Sequence, residues 1–153
     1  MTQRRFEYVV KNDQAVYIDD YAHHPEELSA LISSAKRLFP KRRCVIAFQP
    51  HLYSRTRDLA DGFAEVLDMA DEVILLPIYP ARELPIEGVS SEMILDKMKN
   101  ENKEVMGRDD LLKWIKFDYV KNINTEFGQV LITAGAGDID MMVEPIKEIL
   151  EKI

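Results

Sequence analysis

A chain of 153 residues with 46% hydrophobic and 31% charged residues has the size and composition of one globular domain, not of a disordered segment. Its net charge of −7 disfavours nucleic-acid binding, which draws on a basic excess, and its apolar runs, such as Val73 to Leu76, stop far short of the ~20 residues of a membrane span. The single cysteine, Cys44, leaves no disulfide framework and no cysteine-based zinc site, and Met1 to Phe6 lack the apolar core of a signal peptide, so a cytoplasmic location is expected.

Taken in chain order, Arg5 to Val10 reads as a strand that pairs across the turn signal Lys11-Asn12-Asp13 with a second strand from about Ala15 to Asp20. Pro25-Glu26-Glu27 opens a helix, because proline suits the first helical position and acids suit the positive end of the dipole. Leu28, Leu31, Ile32, Ala35, Leu38 and Phe39 follow at helical spacing as a buried stripe, and Pro40 stops it. Cys44 to Phe48 is a buried strand, with Cys44 as a small buried hydrophobe. The next helix carries Leu59, Ala60, Phe63, Leu67 and Ala70 on one face. Glu72 to Ile78 is a further buried strand, and Ser90 and Ser91 can cap a helix reaching about Lys99. A short strand at Lys103–Met106, a helix from Asp109 with Leu111, Leu112 and Ile115, and a strand at Gln129–Thr133 come next. A last amphipathic helix carries Ile139, Met142, Val143, Ile146, Ile149, Leu150 and Ile153.

Buried strands alternating with helices predict a Rossmann-like open α/β domain, with a mostly parallel sheet and helices on both faces. Such sheets bind ligands at the carboxyl ends of their strands. Those ends are Asp19-Asp20-Tyr21-Ala22-His23-His24-Pro25, then Gln49-Pro50-His51-Leu52-Tyr53-Ser54-Arg55-Thr56-Arg57, then Pro77-Ile78-Tyr79-Pro80-Ala81-Arg82-Glu83, and finally Thr133-Ala134-Gly135-Ala136-Gly137-Asp138. Three of the four are rich in ionisable side chains, and all three histidines of the chain lie in two of them. This placement points to a polar cleft that handles anions.

Each feature also has a plainer reading. One of Asp19 and Asp20 could end the strand and cap the next helix. His23 and His24 are adjacent and match no common zinc spacing, so no metal site is expected. His51, Arg55 and Arg57 could form a solvated face, Arg57 most of all, whereas Arg55 has the fork that clamps a carboxylate or phosphate. Tyr21 and Tyr79 could stack on a nucleotide or merely cover the sheet edge. Gly135-Ala136-Gly137 is half of a dinucleotide fingerprint, with Asp140 where the third glycine would stand. It reads as a tight turn with Asp138 capping the last helix, although its amides could accept an anion. No glycine precedes a lysine, so the usual triphosphate-gripping loop is missing from this sequence.

The strand-end segments resemble the third domain of the Mur ligases. Asp19 to Pro25, Phe48 to Thr56, Tyr79 to Glu83 with Pro85-Ile86-Glu87-Gly88-Val89, and Gly135 to Ile139 are similar to that family's hallmarks, in the right order. Arg4-Arg5-Phe6-Glu7 resembles the segment that leads into the domain. The broader group, which includes folylpolyglutamate synthetase, shares a shorter Asp-x-Ala-His-x-Pro signature, matched by Asp20 to Pro25. The double histidine and Phe-Gln-Pro-His favour the alanine-adding branch.

The resemblance implies residues 1–14 as the end of an interdomain linker and first hairpin strand, and residues 15–153 as the C-terminal domain of a three-domain, ATP-dependent ligase. It implies UDP-N-acetylmuramate, L-alanine and ATP as substrates, with ATP and Mg2+ held mainly by a central domain outside this chain. The N-terminal and central domains are then its partners, and the domain is expected to be inactive alone. Carried over by motif, Asp20 meets the nucleotide near the hinge and Tyr21 lies by the adenine. His23, His24 and His51 face the reaction cleft as the catalytic set, and His51, Arg55 and Arg57 take the substrate carboxylate. Some relatives have arginine where this chain has Leu52, which removes one cation. A free-standing nucleotide-binding or regulatory module, and a small hydrolase using Asp20, His23 and His51, are the competing readings.

Overall fold

The computed structural model describes residues 5–124 and 126–153, so Arg4 of the leading motif lies outside the described residues. Six strands form one sheet in the order β1-β2-β6-β3-β4-β5. They are β1 (Glu7–Lys11), β2 (Ala15–Asp20), β3 (Arg43–Phe48), β4 (Glu72–Leu75), β5 (Lys103–Val105) and β6 (Gln129–Ala134). β1 runs antiparallel to β2, and every other pairing is parallel. The expected open, mostly parallel α/β fold is therefore the observed one.

The period-2 alternation of the strands divides the core into two layers. Val16, Ile18, Ile46, Phe48, Val73, Leu75, Val130 and Ile132 face one way, onto Leu28, Ile32, Phe63, Leu67 and Ile94. These last residues belong to α1 (Pro25–Leu38), α2 (Tyr53–Leu67) and α3 (Ser91–Lys97). Tyr17, Val45, Ala47, Ile74 and Leu131 face the other way, onto Leu111, Ile139, Ile146 and Leu150. The second cover comprises α4 (Arg108–Trp114), the turn before α5, and α5 itself (Val143–Glu151). Strands buried on both faces are mostly apolar, and β6 is buried at all six positions, its polar Gln129 and Thr133 side chains hydrogen-bonded to the Asn122 carbonyl and to Asp19.

Several boundaries differ from the expectations. Leu38 is 54% exposed, so it stands off the buried stripe of α1. β4 ends at Leu75 instead of Ile78; the Leu76 amide still donates to the Phe48 carbonyl at 3.0 Å, and then Pro77 has no N–H to continue the ladder. α3 ends at Lys97 because Asp68 draws the amides of Lys99 and Asn100 onto its carboxylate at 2.9–3.1 Å. Ser90 does not cap α3 with its side chain, and the Ser91 hydroxyl donates to the Leu76 carbonyl at 2.5 Å. After α4 the chain continues through a π-helical turn at Ile115–Tyr119 and a 3-10 turn at Val120–Asn122, neither of which was expected. The last amphipathic segment divides into a 3-10 turn at Asp138–Met142 and α5. Pro145 accounts for the break, since its ring would clash with the Met141 carbonyl and its nitrogen has no proton to donate.

Candidate functional site

β2 and β3 flank β6, so the loops leaving β2 and β3 converge at the carboxyl edge of the sheet. There the three histidines gather. The His23 ring lies 4.7 Å from that of His24 and 6.1 Å from that of His51, and Tyr21 meets His23 edge-on at 5.1 Å. His51 stacks on Tyr79 at 5.8 Å with planes 13° apart, which brings the β4 loop into the same cluster.

Each member is held by local chemistry. His24 is the N-cap of α1, with Pro25 following. Glu27 reaches back to accept from the His23 and His24 amides at 3.1 and 3.2 Å, the return half of a capping box. Burial alone would raise the Glu27 carboxyl, but the His23 amide and Arg5, 3.0 Å away, together bring it below its ordinary value. His23 Nδ1 lies 3.0 Å from the Tyr21 carbonyl and 3.5 Å from Glu27.

The β3 and β4 loops are tied by their backbones. The Leu52 amide donates to the Tyr79 carbonyl at 2.8 Å, and the Tyr79 amide donates to the Pro50 carbonyl at 2.9 Å. His51 and Tyr79 thus pair as a short parallel bridge beyond the end of the ladder. Leu52, the N-cap of α2, has a φ of 72°, a strained backbone for a residue with a side chain. Arg55 lies in the first turn of α2, four residues after His51, and its Nη1 is 3.1 Å from His51 Nδ1. A guanidinium can only donate, so Nδ1 accepts and a neutral His51 ring carries its proton on Nε2. Burial first, then Arg55, then His23 push the His51 imidazole below its ordinary value, and the same three causes lower His24. His24 and His51 are therefore neutral near pH 7, and Arg55 is the fixed cation beside them.

The remaining expected site residues have other placements. Asp20 is buried, and it accepts from the Phe6 amide through Oδ2 and from the Ala22 amide through Oδ1, both at 2.8 Å. Arg5 approaches the same carboxylate at 3.6 Å. Asp20 thus ties the segment before β1 to the turn after β2, and His24, not either aspartate, occupies the cap of α1. Asp19 is buried and accepts from the Thr133 hydroxyl at 2.8 Å. Arg57 is turned to its neighbour, its Nε donating to Asp58 at 2.9 Å on an exposed surface.

Two residues not singled out from the sequence organise this edge. The Gln49 amide donates to Asp138 Oδ1 at 2.7 Å and its oxygen accepts from the Ile139 amide at 2.9 Å. Asp138, which also faces Arg108 at 3.5 Å, is therefore not the cap of the last helical segment. The glycine turn serves close packing: a Cβ on Gly137 would lie 2.6 Å from Gln49 Oε1 and 2.6 Å from Tyr79 Cβ and Cγ. The second residue is Glu83, which accepts from the Ser54 amide at 3.1 Å and from the Ser54 hydroxyl. No spacing signal could have found it, because the partners lie 29 residues apart. A cavity of about 580 Å³ between α4 and α5, lined by Leu112, Phe117, Pro145 and Ile149, shares no residue with this cluster. Among the described residues no three His, Cys, Asp or Glu side chains gather to hold a metal ion.

The fold and the cluster define an open α/β domain with three histidines and an arginine gathered at the carboxyl edge of its sheet. The comparisons then place it. The model of the Mur ligase, glutamate ligase domain matches residues 4–137, and the chain belongs to that family. A UDP-N-acetylmuramate–L-alanine ligase of Flavobacterium johnsoniae is 50% identical over 150 residues, which are 98% of this chain and 32% of that protein. The chain thus spans about a third of the length of this relative. Among solved structures, the UDP-N-acetylmuramate-alanine ligase of Thermotoga maritima superposes with a TM-score of 0.69 at 28% identity, over 98% of this chain and 30% of that one. A folylpolyglutamate synthase of Mycobacterium tuberculosis, solved with ADP and AMPPCP, shares the fold with a TM-score of 0.62 at 16% identity, over 97% and 31% of the two chains.

Proposed function

We propose that the chain is the C-terminal domain of an ATP-dependent UDP-N-acetylmuramate–L-alanine ligase of peptidoglycan precursor synthesis in the cytoplasm. Residues 1–14 are then the end of the interdomain linker with the first hairpin strand, and residues 15–153 the domain itself. The observation that carries this reading is the Arg55–His51 pair at 3.1 Å, set among His23 and His24 at the carboxyl edge of the sheet. A fixed guanidinium beside an imidazole that carries its proton on Nε2 suits a small amino-acid carboxylate.

Bound ATP would supply the phosphoryl group that activates the muramate carboxyl as an acyl phosphate; attack of the alanine amine on that acyl carbon would form the C–N bond as the C–O bond to phosphate breaks and inorganic phosphate leaves. In this reading Arg55 and His51 Nε2–H donate to the carboxylate of L-alanine and hold its amine toward the cleft. His24, neutral near pH 7, can take the proton that the amine gives up as it attacks. Tyr21 offers a ring near the hinge for the adenine, while Asp20 acts by tying that hinge, its two oxygens already engaged by Phe6 and Ala22. Arg57, expected from the sequence to take the substrate carboxylate, would have to leave Asp58 to do so. Magnesium and the triphosphate grip fall to the central domain. Closing the three domains together would exclude the water that hydrolyses an acyl phosphate.

The test is to join this chain to the N-terminal and central domains of an alanine-adding relative and follow ATP- and UDP-N-acetylmuramate-dependent ligation of L-alanine. The joined protein should ligate alanine and the chain alone should not. Arg55→Ala should raise the KM for alanine roughly tenfold or more, since a charge-assisted bond contributes about 1.5–3 kcal/mol. A folded joined protein that leaves alanine unligated would overturn the assignment. Nucleotide binding by the lone chain without ligation would favour a regulatory module.

A further inference from the structure

We infer that Glu83 is a positioning residue for the His51–Arg55 pair, clamping the first turn of α2 from the neighbouring loop so that the guanidinium stays beside the imidazole. The inference deepens, and rests on, the reading of that pair as a carboxylate cradle.

α2 begins without the usual help. Its N-cap, Leu52, has no side-chain acceptor, and its first turn contains no acid. The first amides of a helix have no partner within it and need one from elsewhere. Glu83 supplies it from the loop after β4. One oxygen accepts from the Ser54 amide at 3.1 Å and the other from the Ser54 hydroxyl. The carboxylate also lies at the positive end of the α2 dipole. Glu83 is itself placed, because its amide closes a turn onto the Pro80 carbonyl at 2.9 Å and Tyr79 is bonded to Pro50 and Leu52 on both sides.

Arg55 is the residue after Ser54, and its Nη1 reaches His51 Nδ1 across one helical turn. The separation of cation and imidazole therefore depends on the register of the turn that Glu83 holds. The two bonds from Ser54 also bring the Glu83 carboxyl below its ordinary value, so the clamp is ionised at neutral pH.

The sign of one shift separates positioning from a bare charge effect. The negative charge of Glu83 raises the His51 pKa, whereas Arg55 lowers it after burial. Removing the charge without moving anything would lower the His51 pKa further. Releasing Arg55 from the ring would raise it back toward the ordinary value. The experiment is a proton NMR titration of His51 in this chain, with Glu83→Gln and Ser54→Ala, after circular dichroism has shown that each variant is folded. Ser54→Ala keeps the carboxylate and removes the hydroxyl half of the clamp, leaving the backbone amide bond alone. The expected result is a higher His51 pKa in both variants, with Glu83→Asp closer to the parent. A lower or unchanged value in both would overturn the inference. In the joined enzyme the same variants should raise the KM for alanine roughly fivefold, about 1 kcal/mol by the free-energy relation, with kcat within about twofold. A raised His51 pKa together with a joined enzyme that fails to ligate alanine would uphold the clamp and refute the ligase reading, so the two failures are distinguishable.

Discussion

The Gln49 side chain joins the end of β3 to the turn after β6 by donating to Asp138 Oδ1 across 2.7 Å. Its oxygen takes the Ile139 amide at 2.9 Å, so one buried amide group satisfies both a carboxylate and a backbone N–H. Gln49→Leu keeps the bulk and removes both hydrogen bonds, leaving the Ile139 amide without its acceptor. Leaving buried groups unpaired costs about 1–3 kcal/mol, and that is the expected loss of stability in urea denaturation. Unchanged stability would show that water replaces both bonds without cost.

Gly137 lies where the chain passes beneath Gln49 and Tyr79. The added Cβ of Gly137→Ala would meet Gln49 Oε1 and the Tyr79 ring at 2.6 Å, so one of the two must move. Overpacking of this kind costs about 1–3 kcal/mol, and each kcal/mol lowers the melting temperature of a chain this size by about 2–4 °C. Calorimetric melting reads the loss directly. Tyr79 stacks on His51, so the His51 ring resonances should shift as well. Melting and resonances identical to the parent would show that the turn has slack.

These two positions mark the boundary between what the sequence discloses and what it does not. The sheet was legible because strands such as β3 and β6 are apolar at nearly every position, which only burial on both faces requires. The convergence of His23, His24 and His51 followed from the rule that such sheets present their carboxyl ends to ligands. The Arg55–His51 contact was within reach because the two residues are four apart where a helix begins. Gln49, Gly137 and Glu83 were not legible in these roles, since each acts on a partner brought close only by tertiary packing. The π-helical turn after α4 was hidden for another reason: Leu111, Ile115 and Tyr119 recur every four residues, which suits an unbroken helix equally well. Arg57 shared a strand-end segment with Arg55, yet two further positions around the helix turn it to Asp58.

Cys44 should be chemically silent in the folded chain. It is buried at the start of β3, where burial first and Asp71 second push the thiol up to about 12. The thiolate is the reactive form. A disulfide reagent such as dithionitrobenzoate should therefore find no thiol at pH 8 until urea is added, and then one per chain. Rapid labelling without denaturant would show that β3 opens locally at its amino end.

Stability should fall as pH drops below about 6.5, and the histidine cluster should account for part of the loss. His24 and His51 have folded-state values below the ordinary 6.5, each through burial first, then Arg55, then His23. Around that pH the unfolded chain binds more protons than the folded one, so stability rises with pH there. The contribution is complete above about 6.5, the unfolded value, and is lost as pH falls from there through the lower folded values. Glu27 and Glu83 are depressed relative to 4.5, so their contributions are present above that value and disappear only at lower pH. The histidine window thus opens at about 6.5 and the carboxylate window only below 4.5. Urea midpoints measured at pH 7.5, 6.5 and 5.5 should decline, and the decline should flatten in the double variant His24→Asn, His51→Asn, whose asparagines do not titrate. A carboxylate bound beside Arg55 would favour the charged imidazole and raise the NMR pKa of His51, so acetate at high concentration should shift its titration upward. An equal decline in the double variant would assign the pH dependence to groups outside the cluster.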